Sequence, residues 1–383
     1  MSRKILTIGA YERDNFGDLL FFLVFEYICK KHSVRLIAGS CMESDMQSYF
    51  GIYIFPYHFL LSNYTFDAVW VVGGEIGACT APMAIEMSLP NRYLDRYQYT
   101  QEKTKNFIQE YLIGEKIDHL AYLPNIGKYK KNKQTPLVVN SAGGFEFLEQ
   151  YADMVIVQNT INTLQNAHKV TVRSARSHEY LLGRDIPSTL VPDSVHALSL
   201  FYSPGQSDKG VYIVFQMSKN LFNLYGIDSI AKSLYELVQK YNCPIYLFSA
   251  GTAHHHDSLE VYEDIKKYIH DTYQENRIEV IYEKNPLRRV DWIAHAKILI
   301  SSSLHGRIVA ISYKVPRVSL AIEKLSQYAE TWDPLFPYGV VPSTMLDACD
   351  RAFLVDTTYT ESVAHKLAVL AQDNIENILQ TII

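Results

Sequence analysis

Hydrophobic residues fall along this chain in short runs separated by longer segments with helical spacing. One series of runs comprises Ile5–Ile8, Val34–Ile37, Ile52–Phe55, Ala68–Val72, Pro136–Val139, Met154–Val157, Lys169–Val172 and Ser188–Val191. A second comprises Val211–Phe215, Pro244–Phe248, Ile278–Tyr282, Ile298–Ile300 and Arg317–Leu320. Near-continuous apolar runs suit parallel strands covered on both faces, whereas a sheet with one wet face would alternate. Strands alternating with helices predict an α/β protein built of βαβ units. The segment 200–210, rich in Pro, Gly, Ser and Asp, is the best break in the pattern. It divides the chain into two doubly wound, Rossmann-like domains, 1–200 and 201–383, expected to face each other across a cleft. Glu361–Ile383 reads as a helix closing the second domain, with Val363, Leu367, Val369, Leu370, Ile375 and Ile378 on one stripe.

Composition narrows the function classes. The 36 Lys and Arg against 41 Asp and Glu give a net charge of -5, which argues against a nucleic-acid partner. The one basic cluster, Lys128–Lys133, reads as a solvated loop or as a local patch for an anionic lipid or polymer. The 28 tyrosines hint at wet clefts, since Tyr joins a flat apolar ring to a polar tip. Five cysteines without a CxxC pair make neither a disulfide framework nor a zinc site and suit a reducing compartment. The first residues lack a signal peptide's apolar core, and Leu19–Cys29, interrupted by Glu26, is too short to span a bilayer. A cytoplasmic protein is expected.

Open α/β sheets bind ligands beyond the carboxyl ends of their strands, so the residues there carry the chemistry. After the first run come Asn15-Phe16-Gly17-Asp18 and an apolar helix. Asn15 or Asp18 either caps that helix or lines an acceptor site, with Asp18 or Asp14 taking a hydroxyl proton. The glycines do not follow GxGxxG, which disfavours a nicotinamide site. Gly73-Gly74-Glu75 follows Ala68–Val72, where Glu75 is a base or a cap. Arg173 follows Lys169–Val172 and either grips an anion or forms an internal salt bridge. Ser301-Ser302-Ser303-Leu304-His305-Gly306-Arg307 follows Ile298–Ile300, with Leu304, Ile308 and Ile311 at helical spacing. Serine hydroxyls, backbone N–H groups and His305 are thereby placed at a helix N-terminus, which favours an anion. Lys324 lies beyond the next run and is a surface charge or a phosphate grip. His254-His255-His256-Asp257 is read as a polar loop, because adjacent residues seldom converge on one metal; no metal is expected.

In these motifs the chain resembles the polysaccharide pyruvyl transferase family. Asn15-Phe16-Gly17-Asp18 is similar to the family's N-x-G-D element. Val172-Arg173-Ser174-Ala175-Arg176-Ser177 is similar to its V-R-D-x-x-S segment, and Val191-Pro192-Asp193 to its P-D element. Ser301–Gly306, with Ala310 and Pro316 beyond, looks like its S-x-x-H-G…A…P signature. The resemblance implies a GT-B-like fold and transfer of the enolpyruvyl unit of phosphoenolpyruvate to two sugar hydroxyls as a cyclic ketal. It implies no cofactor beyond phosphoenolpyruvate as co-substrate. By the resemblance and the strand-end reading together, the catalytic candidates are His305 and Asp18. Arg173, Lys324, Ser302, Ser303, Gly306 and Arg307 are the donor-binding candidates, and Asn15, Gly17, Gly74 and Glu75 bind the acceptor. The first domain is then the acceptor side and the second the donor side. Some members carry Arg where this chain has Ser303, which leaves Arg307, Lys324 or Arg176 to supply that charge. The implied acceptor is a bacterial cell-surface polysaccharide or its lipid-linked precursor, with transient contact at the inner face of the cell membrane through the C-terminal helix or Lys128–Lys133. Two other readings stay open: a GT-B glycosyltransferase using a nucleotide sugar, and a non-catalytic glycan-binding homologue.

Overall fold

The structure, a computed structural model, describes residues 3–89, 91–115, 118–205, 209–254 and 256–382. It divides into two units: 1–14, 18–194 and 370–383 form the first, and 15–17 with 195–369 the second. The first holds an eight-stranded sheet of β1 Arg3–Ile8, β2 Val34–Ser40, β3 Ser44–Met46, β4 Ile52–Pro56, β5 Ala68–Val71, β6 Leu137–Ala142, β7 Lys169–Val172 and β8 Thr189–Leu190. Their order is β3-β4-β2-β1-β5-β6-β7-β8. Only the β3–β4 pair is antiparallel; β1 lies parallel to both neighbours, with Ile5 opposite Leu36 and Ala68. The second holds β9 Ile213–Gln216, β10 Ile245–Leu247, β11 Ile278–Val280, β12 Ile298–Ser301 and β13 Arg317–Ser319. This sheet is wholly parallel, in the order β11-β10-β9-β12-β13. Every residue of β5, β6, β9 and β12 is buried. That burial is the physical cause of their apolar runs, which polar residues break only at Asn140 and Ser141 of β6 and at the carboxyl ends of β9 and β12, Gln216 and Ser301.

Four local expectations change. Met154–Val157 is the start of a helix, Met154–Gln165, capped by Asp153, whose side chain accepts from the Ile156 N–H at 2.9 Å. Met154 and Val155 are exposed there, so their apolar run never had a sheet to join. The antiparallel strand β3 was not anticipated; it is three residues long and edges the sheet, with Ser44 and Asp45 polar and only Met46 buried. The passage between units lies at Ser194–Val195 rather than near 200, and 206–208 of the anticipated linker fall outside the described residues. The last helix runs Thr357–Ile382, and from Leu370 onward it belongs to the first unit, not the second. Its Leu367, Ile375 and Ile378 are buried as the stripe predicts, whereas Leu370 is exposed. Asn374 donates to the Asn140 side chain of β6 at 2.7 Å, and Thr381 meets His168 at 2.8 Å, which fixes this return.

Candidate active site

In the second unit a polar network shapes the turn between β12 and the helix Leu304–Ser312. Gln216, the last residue of β9, accepts from the Ser301 hydroxyl (2.7 Å), the Ser302 N–H (2.9 Å) and the Ser302 hydroxyl (3.2 Å). Its amide donates to Asp257 at 2.7 Å, and the other Asp257 oxygen accepts from the Ala250 N–H at 2.7 Å. Ser303 caps the helix, its hydroxyl accepting from the Gly306 N–H at 3.2 Å. A Cβ on Gly306 would sit 2.8 Å from Ser301 Oγ, so a side chain there would break the turn. These bonds satisfy helix N-terminal donors that would otherwise be orphaned. Ser302, Ser303 and Gly306, expected to bind the donor, are therefore the scaffold that aims the helix. The Ser302 hydroxyl also accepts from the Ser218 N–H at 2.9 Å.

His305 is held in the first turn of that helix and is 7% exposed. Against its ring lies Gly17, which belongs to the same unit. A Cβ on Gly17 would fall 1.9 Å from His305 Nδ1 and 2.1 Å from Cγ, so only a glycine fits. The approach is fixed next door: the Phe16 N–H donates to the Ala250 carbonyl at 2.9 Å, and the Phe16 ring meets Phe248 edge-on at 5.6 Å. Ala250 is the residue whose N–H is held by Asp257. One hydrogen-bonded relay thus connects Asn15-Phe16-Gly17 with Ser301–Gly306, two motifs nearly three hundred residues apart in sequence. Asn15 is half-buried at the start of this segment.

The cations separate sharply. Arg307 is not available to a substrate: it is 1% exposed, donates to Asp333 at 2.6 Å and to Ser319 at 2.8 Å, and meets the carbonyls of Asp333, Pro337 and Phe336. Asp333 also receives Arg317 through two bonds, at 2.7 and 2.5 Å. Burial, together with Arg317, pulls the Arg307 guanidinium down to about 10 against the pull of Asp333. It is a core ion-pair member because its helix face turns into the sheet. Lys324, by contrast, is exposed in the first turn of the helix Glu323–Trp332. A cation at a helix N-terminus opposes the helix dipole, a cost that a bound anion would remove.

In the first unit, Arg173 follows β7 and is 3% exposed. It donates to Asp193 at 2.6 Å and to Glu75 at 2.9 Å. Burial alone would lower the pKa of its guanidinium, but Asp193 and Glu75 more than offset that and raise it. Arg173 therefore forms an internal salt bridge in this structure, its one charge facing two carboxylates, and an anion would have to compete with Glu75 for it. Glu75, expected on the acceptor, is the exposed partner in this pair. Asp18 is 8% exposed, has Arg13 at 3.9 Å, and lies beside Gly74, where an added Cβ would come 3.4 Å from Asp18 Oδ1. Arg176 is exposed on the helix that follows Arg173.

Two sets of polar residues escaped the sequence reading. Gln216 and Asp257 carry the relay; Asp257 was noticed only as part of a histidine run, of which His255 lies outside the described residues. Glu12 accepts from Tyr122, Arg13 (3.1 Å), Ser88 (3.2 Å) and Ser40 in the interior of the first unit. No spacing signal links residues 12, 40, 88 and 122. No group of three or more His, Cys, Asp or Glu suited to a metal occurs among the described residues. No helix among them is long and apolar enough to cross a membrane. Lys128 and Lys131 of the basic cluster are engaged locally, with Asp118 and with the Asn63 carbonyl (2.6 Å).

The profile of the polysaccharide pyruvyl transferase family matches residues 15–324. No curated protein matches the chain in sequence. Among solved structures, UDP-GlcNAc 2-epimerase from Methanocaldococcus jannaschii aligns at 13% identity and a TM-score of 0.55, covering 93% of this chain and 94% of that one. The Neisseria meningitidis UDP-GlcNAc 2-epimerase bound to UDP-GlcNAc aligns at 14% identity and 0.54, covering 98% and 100%. The S. aureus MnaA–UDP structure aligns at 12% identity and 0.54, covering 99% and 96%. At these identities the likeness establishes the fold, a pair of Rossmann-like units of the GT-B kind.

Proposed function

The chain belongs to the polysaccharide pyruvyl transferase family, and from that premise we propose that it transfers the enolpyruvyl unit of phosphoenolpyruvate to two hydroxyls of a sugar. The sugar belongs to a cell-surface polysaccharide or its lipid-linked precursor. The observation that carries this reading is the seating of His305 against Gly17, which joins two of the family's motifs in one unit inside the matched span.

In the proposed reaction His305 donates a proton to the methylene carbon of phosphoenolpyruvate. The former enol carbon becomes an oxocarbenium centre, which one sugar hydroxyl attacks. A second hydroxyl displaces phosphate, so that two C–O bonds form and the C–O bond to phosphate breaks. The two hydroxyl protons leave: Asp18 is the proposed base for one, and phosphate departs with the other. General acid–base help of this kind is worth about 10²–10⁴ in rate. The donor's phosphate and carboxylate need cationic grips. With Arg307 committed to Asp333, Lys324 with its helix N-terminus is the second unit's candidate. Arg173 joins only if Glu75 releases it. A lipid-linked acceptor places the enzyme at the inner membrane face during turnover.

Calorimetric titration with phosphoenolpyruvate, beside a uridine diphosphate sugar, is the direct test. Binding of phosphoenolpyruvate, weakened by Lys324→Ala, supports the reading. Binding of the nucleotide sugar alone overturns it in favour of glycosyl transfer.

A further inference from the structure

The first unit contains a pocket of about 700 Å³ that none of the residues discussed as catalytic lines. It lies beyond the carboxyl ends of β1, β2 and β4. Glu12 follows β1, Glu43 and Ser44 follow β2, and Phe55–Phe59 close β4. This is where an open parallel sheet receives a ligand, and the volume falls within the range of about 300–1,000 Å³ usual for small-molecule sites.

Its lining has two chemistries. Phe55 and Phe59 are 42% and 45% exposed, and Tyr111, at the end of the helix Glu102–Ile113, is 78% exposed. Leaving three large rings in water is unfavourable unless something covers their faces. Set among them are Glu43, Ser44, Ser88 and His58, above the buried Glu12 carboxylate, to which Ser88 donates at 3.2 Å. Because the one proton of Ser88 is taken up by the Ala84 carbonyl at 2.8 Å and Glu12 at 3.2 Å, its oxygen is left as an acceptor.

We propose that this pocket binds a pyranose ring, and, resting on the pyruvyl-transfer reading, that the ring is a unit of the acceptor. A pyranose presents a C–H face for stacking on Phe59 and Tyr111 and a rim of hydroxyls that donate to Glu43 and Ser88. An anionic ligand would meet Glu12 and Glu43. A lipid chain would cover the same polar groups without giving them a partner.

The test is ligand-observed saturation-transfer NMR on the full chain with methyl β-glucoside, methyl β-galactoside and methyl N-acetyl-β-glucosaminide, without phosphoenolpyruvate. Transfer to the ring C–H protons of at least one glycoside is expected. It should fall about fivefold or more in Phe59→Ala and in Tyr111→Ala, whose exposed rings are not fold anchors, and persist in His305→Ala. Silence from all three glycosides overturns the proposal, as does transfer unchanged in both ring variants. Sedimentation with phosphatidylglycerol vesicles that these variants abolish, without glycoside signals, reassigns the surface to membrane and also overturns it. Glycoside binding without phosphoenolpyruvate turnover would leave the pocket standing and sink the pyruvyl reading; turnover without glycoside binding would do the reverse.

Discussion

Replacing Gly17 by Ala tests the contact on which the active-site assignment turns. Carbon and nitrogen atoms rest about 3.5 Å apart at the closest comfortable approach. The new methyl would lie 1.9 Å from His305 Nδ1, an overlap of about 1.6 Å. The ring has little room to yield, because Ser303 and Gln216 fix the turn from which it projects, and Phe16 is tied to Ala250. Overpacking of this kind costs about 1–3 kcal/mol, and Ala in a helical turn returns at most about 1 kcal/mol over Gly. The net loss should be about 1–2 kcal/mol, or roughly 2–8 °C in the melting temperature of a unit this size. Calorimetry on four proteins isolates the contact: wild type, Gly17→Ala, His305→Ala and the double variant. With the ring gone the methyl still faces the Cβ at position 305, 2.7 Å away, but no longer the ring atoms, so Gly17→Ala should cost clearly less in the His305→Ala background than in the wild type. The coupling energy should reach at least about 1 kcal/mol. Equal destabilisation by Gly17→Ala in both backgrounds would refute the packing and the connection it makes between the two motifs.

Further outcomes follow from the same geometry. His305→Ala should lower turnover by about 10²–10⁴ while leaving phosphoenolpyruvate affinity within severalfold, read from kcat against KM; near-wild-type kcat removes it from the chemistry. Glu75→Gln takes one of two carboxylates from Arg173 and should tighten phosphoenolpyruvate binding by about fivefold, roughly 1 kcal/mol, whereas Arg173→Ala should weaken it; no change in either titration sends the anion elsewhere. Asp333→Asn strands Arg307 and Arg317 in the interior and should cost about 3–5 kcal/mol in urea unfolding; a loss below 1 kcal/mol would contradict the burial. Burial pushes the thiols of Cys29, Cys79 and Cys349 up to about 12, and all five cysteines are buried. At pH 8 a disulfide reagent should therefore label none in the native protein and five after denaturation, native labelling counting against the packing.

The apolar runs were legible because parallel strands buried on both faces leave no choice of residue; Ala68–Val71 and Ile298–Ile300 sit where their composition put them. Met154–Val157 shows the limit, since an apolar tetrapeptide is as much a helix start as a strand until something is there to pair with it. Ser301–Arg307 was legible as a strand-end turn, yet its division of labour was not. Hydroxyls that looked like ligands to a substrate are spent on Gln216 and Gly306, and Arg307 points into the core. Arg173 was equally ambiguous until Asp193 and Glu75 stood on either side of it.

By itself, then, the amino-acid order determined two Rossmann-like sheets and a histidine at a helix N-terminus, because these depend on local periodicity and short spacings, and its motifs carried the resemblance to the polysaccharide pyruvyl transferase family. Tertiary structure alone decided which cations are free, why position 17 must be glycine, and that the last helix returns to the first unit. Those facts depend on distances between residues far apart in the chain, and one-dimensional order carries no record of which buried charge finds which partner.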